Sequence, residues 1–461
     1  MKVKREELQL NLKKVSLDRF FLTLLLIFLP TQLAKHFFSQ ASLVAGTRVD
    51  YLLPTVYLTD IFVLLIFVFW FIRKRKTLFN KTLKTRTIFS DKYLLIFLVA
   101  ILVNVILSAQ KELAFLKLGK ILELVFLAFY LYQEEIPFKL IINYLLVGAV
   151  YSSFLGIAQF VKQGSLGGLL WFLGERTFTV GTPGVAKAEI FGRLYLRPYA
   201  TFPHPNVLGG YLALLLPFLP TINRDKKISR YVFQFIFILI LIALFLTFSR
   251  IAIIAGLLGF IASLVIARKP KKTAKTFIFK QLLFMFLLIL LFSTFITGRF
   301  SNLFQATNES IVQRKELTVA AIAMINHNPL FGIGLGNFLT SLSSVCQYCL
   351  QNGFYQPVHN LFLLVGAETG IFGLIFLIYL LLLALQSNQK RLKTDRLLLI
   401  TWLQIIFLSL FDHYFYTLQQ GQLLFVLLIS FMIKNKLDYE KAANNTQNNH
   451  SSSPVTFGDP C

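Results

Sequence analysis

Long apolar runs alternate with short basic connections along most of the chain. Most runs approach the roughly 20 residues that a helix needs to cross a bilayer core. The pattern predicts an all-α, polytopic membrane protein with about twelve transmembrane helices, at 20–37, 52–72, 93–109, 115–133, 138–161, 206–222, 231–248, 251–267, 278–297, 358–386, 397–412 and 421–433. The first basic-then-apolar segment is read as an uncleaved span rather than a signal peptide, since no small-x-small site follows it closely. Residues 231–267 form one nearly unbroken apolar stretch. As a single helix it would rise about 55 Å, too long for a core of about 30 Å. Two spans turning at Thr247-Phe248-Ser249-Arg250 remove the conflict and leave Arg250 at the outer boundary.

Two long outer loops interrupt the spans, 162–206 and 298–357. Within the second, Glu309 to Asn326 has helical periodicity, with apolar positions at Ile311, Val312, Val319, Ile322 and Ile325. Asn308 or Ser310 is placed to cap it and Pro329 to end it. The transmembrane unit is 1–434, and the Asn/Ser-rich tail 435–461 reads as cytoplasmic and disordered.

Composition sharpens the class. Of 461 residues 56% are hydrophobic, including 49 phenylalanines, which excludes an ordinary soluble domain. The net charge of +25 would suit nucleic acid if it were contiguous. Instead it is divided among connections: Arg73 to Lys76 with Lys81, Lys84 and Arg86; Arg224 with Lys226, Lys227 and Arg230; Arg268 to Lys275; and Lys390-Arg391 with Lys393 and Arg396. That is the positive-inside pattern, so both termini are expected in the cytoplasm and no nucleic-acid partner is expected. Three cysteines exclude a disulfide scaffold. Cys346 and Cys349 read as a local disulfide or two free thiols, since no second pair completes a zinc site.

The polar residues gather at one face. His359-Asn360 opens a span at the outer boundary. An imidazole in this place is a candidate general base, although a lone interfacial His is more often bonded to a loop carbonyl. Arg250 and Arg314 on the same face, beside it, favour an anion site, because guanidinium forks match phosphate oxygens. The glycines of Asn328-Pro329-Leu330-Phe331-Gly332-Ile333-Gly334-Leu335-Gly336-Asn337-Phe338 lack nucleotide-loop spacing and read as permitting close backbone approach. Asp412-His413 is either support for the site or a solvated turn.

Taken with Thr201-Phe202-Pro203-His204-Pro205-Asn206, these motifs resemble the O-antigen ligase and polymerase family, most strongly over 196–385 and weakly to Asp412-His413. Thr318 departs from it, standing where an aromatic residue is expected four positions after the loop arginine. The resemblance implies a metal-independent glycosyltransferase of cell-surface polysaccharide synthesis in the cell membrane, with no cofactor. Its partners would be membrane lipids, a polyprenyl-diphosphate-linked glycan donor, and a glycan, lipid or protein acceptor. It implies His359 as base, Arg250 and Arg314 as diphosphate binders, and an outer-face site. Arg197, His204, Asn206, Asn360, Asp412 and His413 are the candidate substrate-binding residues. The rival is a lipid-linked glycan flippase. A transporter would more naturally place its ionisable residues at mid-span.

Overall fold

The structure is a computed structural model that describes residues 16–80, 92–134, 136–190, 192–221, 227–266, 272–301, 309–386 and 393–433. The expectations for Asn308, for the tail 435–461, and for Lys81, Lys84, Arg86, Arg224, Lys226, Arg268, Lys269, Lys271, Lys390 and Arg391 lie outside the described residues.

The chain is mostly helical. In its first third, Leu17–Ile27 forms α1, Leu58–Asn80 α2, Lys92–Leu107 α3, Lys111–Gln133 α4 and Phe138–Lys162 α5. Pro205–Leu215 is α6, Lys227–Leu246 α7, Arg250–Ile266 α8, Lys272–Ser301 α9 and Glu309–His327 α10. Phe338–Val345 is α11, Gln347–Gln351 α12, Leu361–Gln386 α13, Lys393–Ser409 α14, Tyr414–Thr417 α15 and Gln419–Ile433 α16. By length and composition, α5 and Leu361–Leu385 of α13 are each able to cross a membrane, and shorter apolar helices surround them.

Helix occurs in every stretch read as a span, with one clear correction. Against the expected 20–37, α1 has only 11 residues, a rise of about 16 Å, roughly half a bilayer core. The chain then turns into strand β1 (Ala34–His36), and β1 pairs with β4 (Thr55–Tyr57) across the loop holding β2 (Leu43–Val44) and β3 (Thr47–Arg48). The same pairing delays α2 to Leu58. A third hairpin joins β5 (Lys187–Ile190) to β6 (Arg193–Leu196). These small sheets decorate a helical bundle.

The core centres on α6, where every residue except Asn206 is buried. Gly210 brings it against Tyr414, whose hydroxyl oxygen would lie 2.1 Å from a β-carbon there. Gln404 of α14 donates to the Ala213 and Ala255 carbonyls at 3.0 and 2.9 Å, tying α14 to α6 and α8. At the other end of the bundle Arg73 bridges Asp18 at 2.7 Å and Glu134 at 2.9 Å, joining α1, α2 and the end of α4. The turn between α7 and α8 falls at 247–249, as expected. There Phe248 takes φ +50° and Ser249 donates its N–H to the Thr247 hydroxyl.

The glycine turn packs backbone to backbone against a break in α13. Gly370 (φ +65°) interrupts that helix. Ile333 and Gly334 donate to the carbonyls of Ala367 and Glu368 at 2.9 and 3.1 Å, and Ile371 donates to Pro329 at 2.9 Å. Asn104 of α3 closes the joint, donating to the Glu368 carbonyl at 2.8 Å and accepting from Leu335 N–H at 2.9 Å. A β-carbon on Gly370 would stand 2.2 Å from the Leu330 carbonyl oxygen, and one on Gly334 would stand 2.1 Å from the Ser108 hydroxyl. The sequence reading of close backbone approach therefore describes this turn. α10 has the expected bounds but a different buried face. Leu317, Ala320, Ala321 and Met324 are inside, whereas Val319 and Ile322 are exposed. Cys346 and Cys349 form a disulfide.

Gly370→Ala combines a positive φ with a backbone clash, so it should cost about 2–5 kcal/mol. Gly119→Ala, a helical position with nothing within 4 Å, should be neutral or gain up to about 1 kcal/mol. Thermal unfolding of the purified protein in detergent measures both.

Candidate active site

Asp412 follows the end of α14, and its carboxylate draws three chain segments together. His413 donates its backbone N–H to Oδ1 at 2.8 Å. Asn206, in the first turn of α6, donates to Oδ2 at 3.1 Å. Arg197 then donates to Asn206 Oδ1 and to the Thr247 carbonyl, each at 2.7 Å. A buried relay thus runs from the turn carrying Arg250, through Arg197 and Asn206, to Asp412. This gives Arg197, which is 8% exposed, the geometry of a brace. His204 caps α6 by accepting from Asn206 N–H, which holds Asn206 in place.

Two imidazoles face the carboxylate. His359 Nδ1 lies 3.8 Å and His413 Nε2 3.9 Å from Oδ1, too long for hydrogen bonds but close enough for Coulombic attraction. Their rings are 5.3 Å apart. The buried Nδ1 of His359 has no hydrogen-bond partner, so the nearby carboxylate is its main electrostatic neighbour. Asn360 caps α13 by accepting from Leu363 N–H at 2.9 Å and reaches the Leu410 carbonyl at 3.1 Å, so it fixes the loop that presents His359.

The charges are set by these surroundings. Burial by itself would raise the Asp412 carboxyl, but His359, His413 and His204 outweigh it and hold the group well below the usual carboxylate range. His413 is pushed down to about 3, chiefly by burial. Asp412 opposes that shift, and His359, Lys117 and Arg314 add to it. Burial likewise lowers His204, helped by Arg197. At neutral pH the cluster therefore holds an ionised Asp412 beside neutral His413 and His204.

Arg250 opens α8, half-buried, and feels the charge of Arg314. Arg314 is exposed on α10 and acts in turn on His413. Arg314 therefore belongs to the electrostatic neighbourhood of His413, and Arg250 is linked to it through Arg314. Thr318, the departure from the expected aromatic, bonds back to the Arg314 carbonyl at 2.8 Å. Ligand atoms of His359, Asp412 and His413 all lie within 4.8 Å of one another, which makes them the metal-capable group among the described residues.

One segment of the chain is similar to a known family. Residues 235–378 match the O-antigen ligase family. The segment contains Thr247 to Arg250, Arg314, the glycine turn and His359-Asn360, so the motifs that carried the resemblance fall inside the match. Arg197, His204, Asn206, Asp412 and His413 lie outside it and join the O-antigen ligase segment through the contacts above. No curated protein matches the chain.

Sequence reasoning missed a second polar group next to this site. Glu368 of α13 accepts from Gly336 N–H and from the Tyr416 hydroxyl, each at 2.8 Å, and Lys117 of α4 donates to the Tyr416 carbonyl at 2.7 Å. The available signal was ionisable residues inside apolar runs, Glu368 in one and Lys117 with Lys120 and Glu123 in the other.

The His413 shift has a stability consequence. An unfolded His titrates near 6.5. Between that value and about 3 the unfolded chain therefore binds more protons than the folded one, and stability rises with pH. The melting temperature should fall as pH drops from 7 to 5, and His413→Gln should remove part of that fall.

Proposed function

We propose that the protein is a multi-pass membrane glycosyltransferase that moves glycan from a polyprenyl-diphosphate-linked donor to an acceptor hydroxyl. The observation that supports this reading is that Arg250, Arg314 and His359 all fall in the segment that matches the O-antigen ligase family. The Asp412 carboxylate backs His359, and the two arginines are near enough to feel each other's charge. The acceptor oxygen attacks the anomeric carbon, and the bond from that carbon to the diphosphate oxygen breaks. The electron pair leaves with the lipid diphosphate, where Arg250 and Arg314 stabilise the growing negative charge. His359 takes the acceptor proton. Its Nδ1 faces Asp412, so Nε2 is the nitrogen left to act as base, and the ionised Asp412 stabilises the imidazolium that forms. A direct displacement inverts the anomeric carbon.

The charge pattern of the basic connections supports cytoplasmic termini and a site on the outer face. The Cys346–Cys349 bridge on the same loop supports an oxidising compartment. The relay from Arg197 to Asp412 positions the base relative to the turn that carries Arg250, which is the contribution proposed for Arg197, Asn206 and His204. Asn360 and His413 hold His359 and Asp412 in register.

Transfer from a polyprenyl-diphosphate-linked oligosaccharide to mixed acceptors in proteoliposomes tests the reading. Wild type should transfer in the presence of EDTA, while His359→Ala, Arg250→Ala and Arg314→Ala should each lose about 100-fold or more. Asp412→Asn should keep donor binding but lower the transfer rate. Donor movement across the bilayer without transfer would point to a transporter instead, and abolition by EDTA would point to a metal held by His359, Asp412 and His413.

A further inference from the structure

A cavity of about 490 Å³ opens beside the histidine cluster, bounded by the first outer segment, α4, and the start of α16. We propose that it binds the acceptor, an oligosaccharide carrying an anionic group. The assignment rests on the glycosyltransferase reading above.

Position is the first argument. Tyr51 lines the cavity and packs edge-on against His413, with ring centroids 5.9 Å apart. Thr417 lines it too, and its hydroxyl meets His413 Nδ1 at 2.7 Å. Pro357, two residues before His359, completes that wall. Neither Arg250 nor Arg314 is part of the lining. His359, Asp412 and His413 are not part of the lining either. The space therefore adjoins the cluster through Tyr51, Thr417 and Pro357, where the body of an acceptor could lie with its hydroxyl extended toward His359.

The second argument is unsatisfied chemistry. Gln32 Nε2 and Gln419 Oε1, both on lining residues, have no hydrogen-bond partner. Such buried polar atoms are uncommon without a function or an unseen partner. One donates and the other accepts, as a sugar hydroxyl requires of its neighbours. The exposed face of Tyr51 suits the apolar C–H face of a pyranose ring. The volume falls within the roughly 300–1,000 Å³ typical of small-ligand sites.

Charge decides the class of sugar. Arg48 pairs with Asp50 at 3.4 Å, and Lys120 pairs with Asp60 at 2.7 Å and Glu123 at 2.9 Å. Lys117 acts on Glu368 and bonds the Tyr416 carbonyl. Arg176 has no carboxylate partner among the described residues, and its charge acts on both Tyr51 and Tyr57. One uncompensated guanidinium on the wall fits one carboxylate or phosphate on the acceptor.

Binding of three fluorescently labelled disaccharides to the full-length protein in detergent tests the assignment without relying on turnover. One carries a uronate, one a phosphate, and one is neutral. Wild type should prefer an acidic probe, and the uronate and phosphate arms show which anion is read. Arg176→Ala should weaken the acidic probes by roughly tenfold or more and leave the neutral one unchanged. Tyr51→Ala should weaken all three. In the transfer assay Arg176→Ala should raise the acceptor KM and leave the donor KM alone. Transfer by wild type with probe binding indifferent to both substitutions would keep the enzyme and overturn this site. A shift in the donor KM instead would also overturn it. Probe binding that obeys the substitutions in a protein unable to transfer would support the glycan site and sink the transferase reading.

Discussion

A carboxylate removed from water must be compensated, and the arrangement around Asp412 follows from that requirement. Its two oxygens accept from the His413 backbone and from Asn206, and two imidazoles stand just beyond hydrogen-bonding distance. Satisfying one buried charge in this way fixes the start of α6, the loop before α13 and the turn after α14 relative to one another. It also leaves His359 with a carboxylate 3.8 Å from its Nδ1. Because Asn206 is held by Arg197, and Arg197 by the Thr247 carbonyl, the same compensation reaches the turn that presents Arg250.

The second fixed point is mechanical. The glycine turn and the break in α13 share backbone hydrogen bonds that only close approach allows, and Asn104 holds both sides. α10 carries Arg314 and runs directly into this turn, while His359 precedes the helix on which the turn docks. The joint therefore helps set the separation of Arg314 and His359 along one continuous stretch, 309–386. Charge compensation and backbone interlock serve the same end by different physics. One aligns side chains across distant segments, and the other fixes the elements that bear them.

Much of this was legible in the sequence where the signal was local. The break at 247–250 follows from a stretch too long for one span, and the bounds of α10 from periodicity and Pro329. Arg250, Arg314 and His359 stand out because polar groups at the ends of apolar runs need a reason to be there. What the sequence hid depends on pairings between distant residues. The helix at 17–27 stops early because residues 34–36 pair with 55–57. The buried face of α10 uses Ala320 and Ala321 rather than Val319 and Ile322, since small side chains admit close packing that hydrophobicity alone does not rank. The Asn206 to Asp412 bond spans 206 positions, and Arg176 and Tyr51 line the same cavity only because distant segments fold together.

The central claim is that Arg250 and Arg314 jointly bind a diphosphate beside His359. Its most direct test is the affinity of a sugar-free polyprenyl diphosphate for wild type, Arg250→Ala, Arg314→Ala and the double variant. The account predicts that each single change weakens binding by roughly tenfold or more, and that the two effects are not independent because both cations hold one group. Affinity for the lipid diphosphate that is unchanged in the double variant would contradict it.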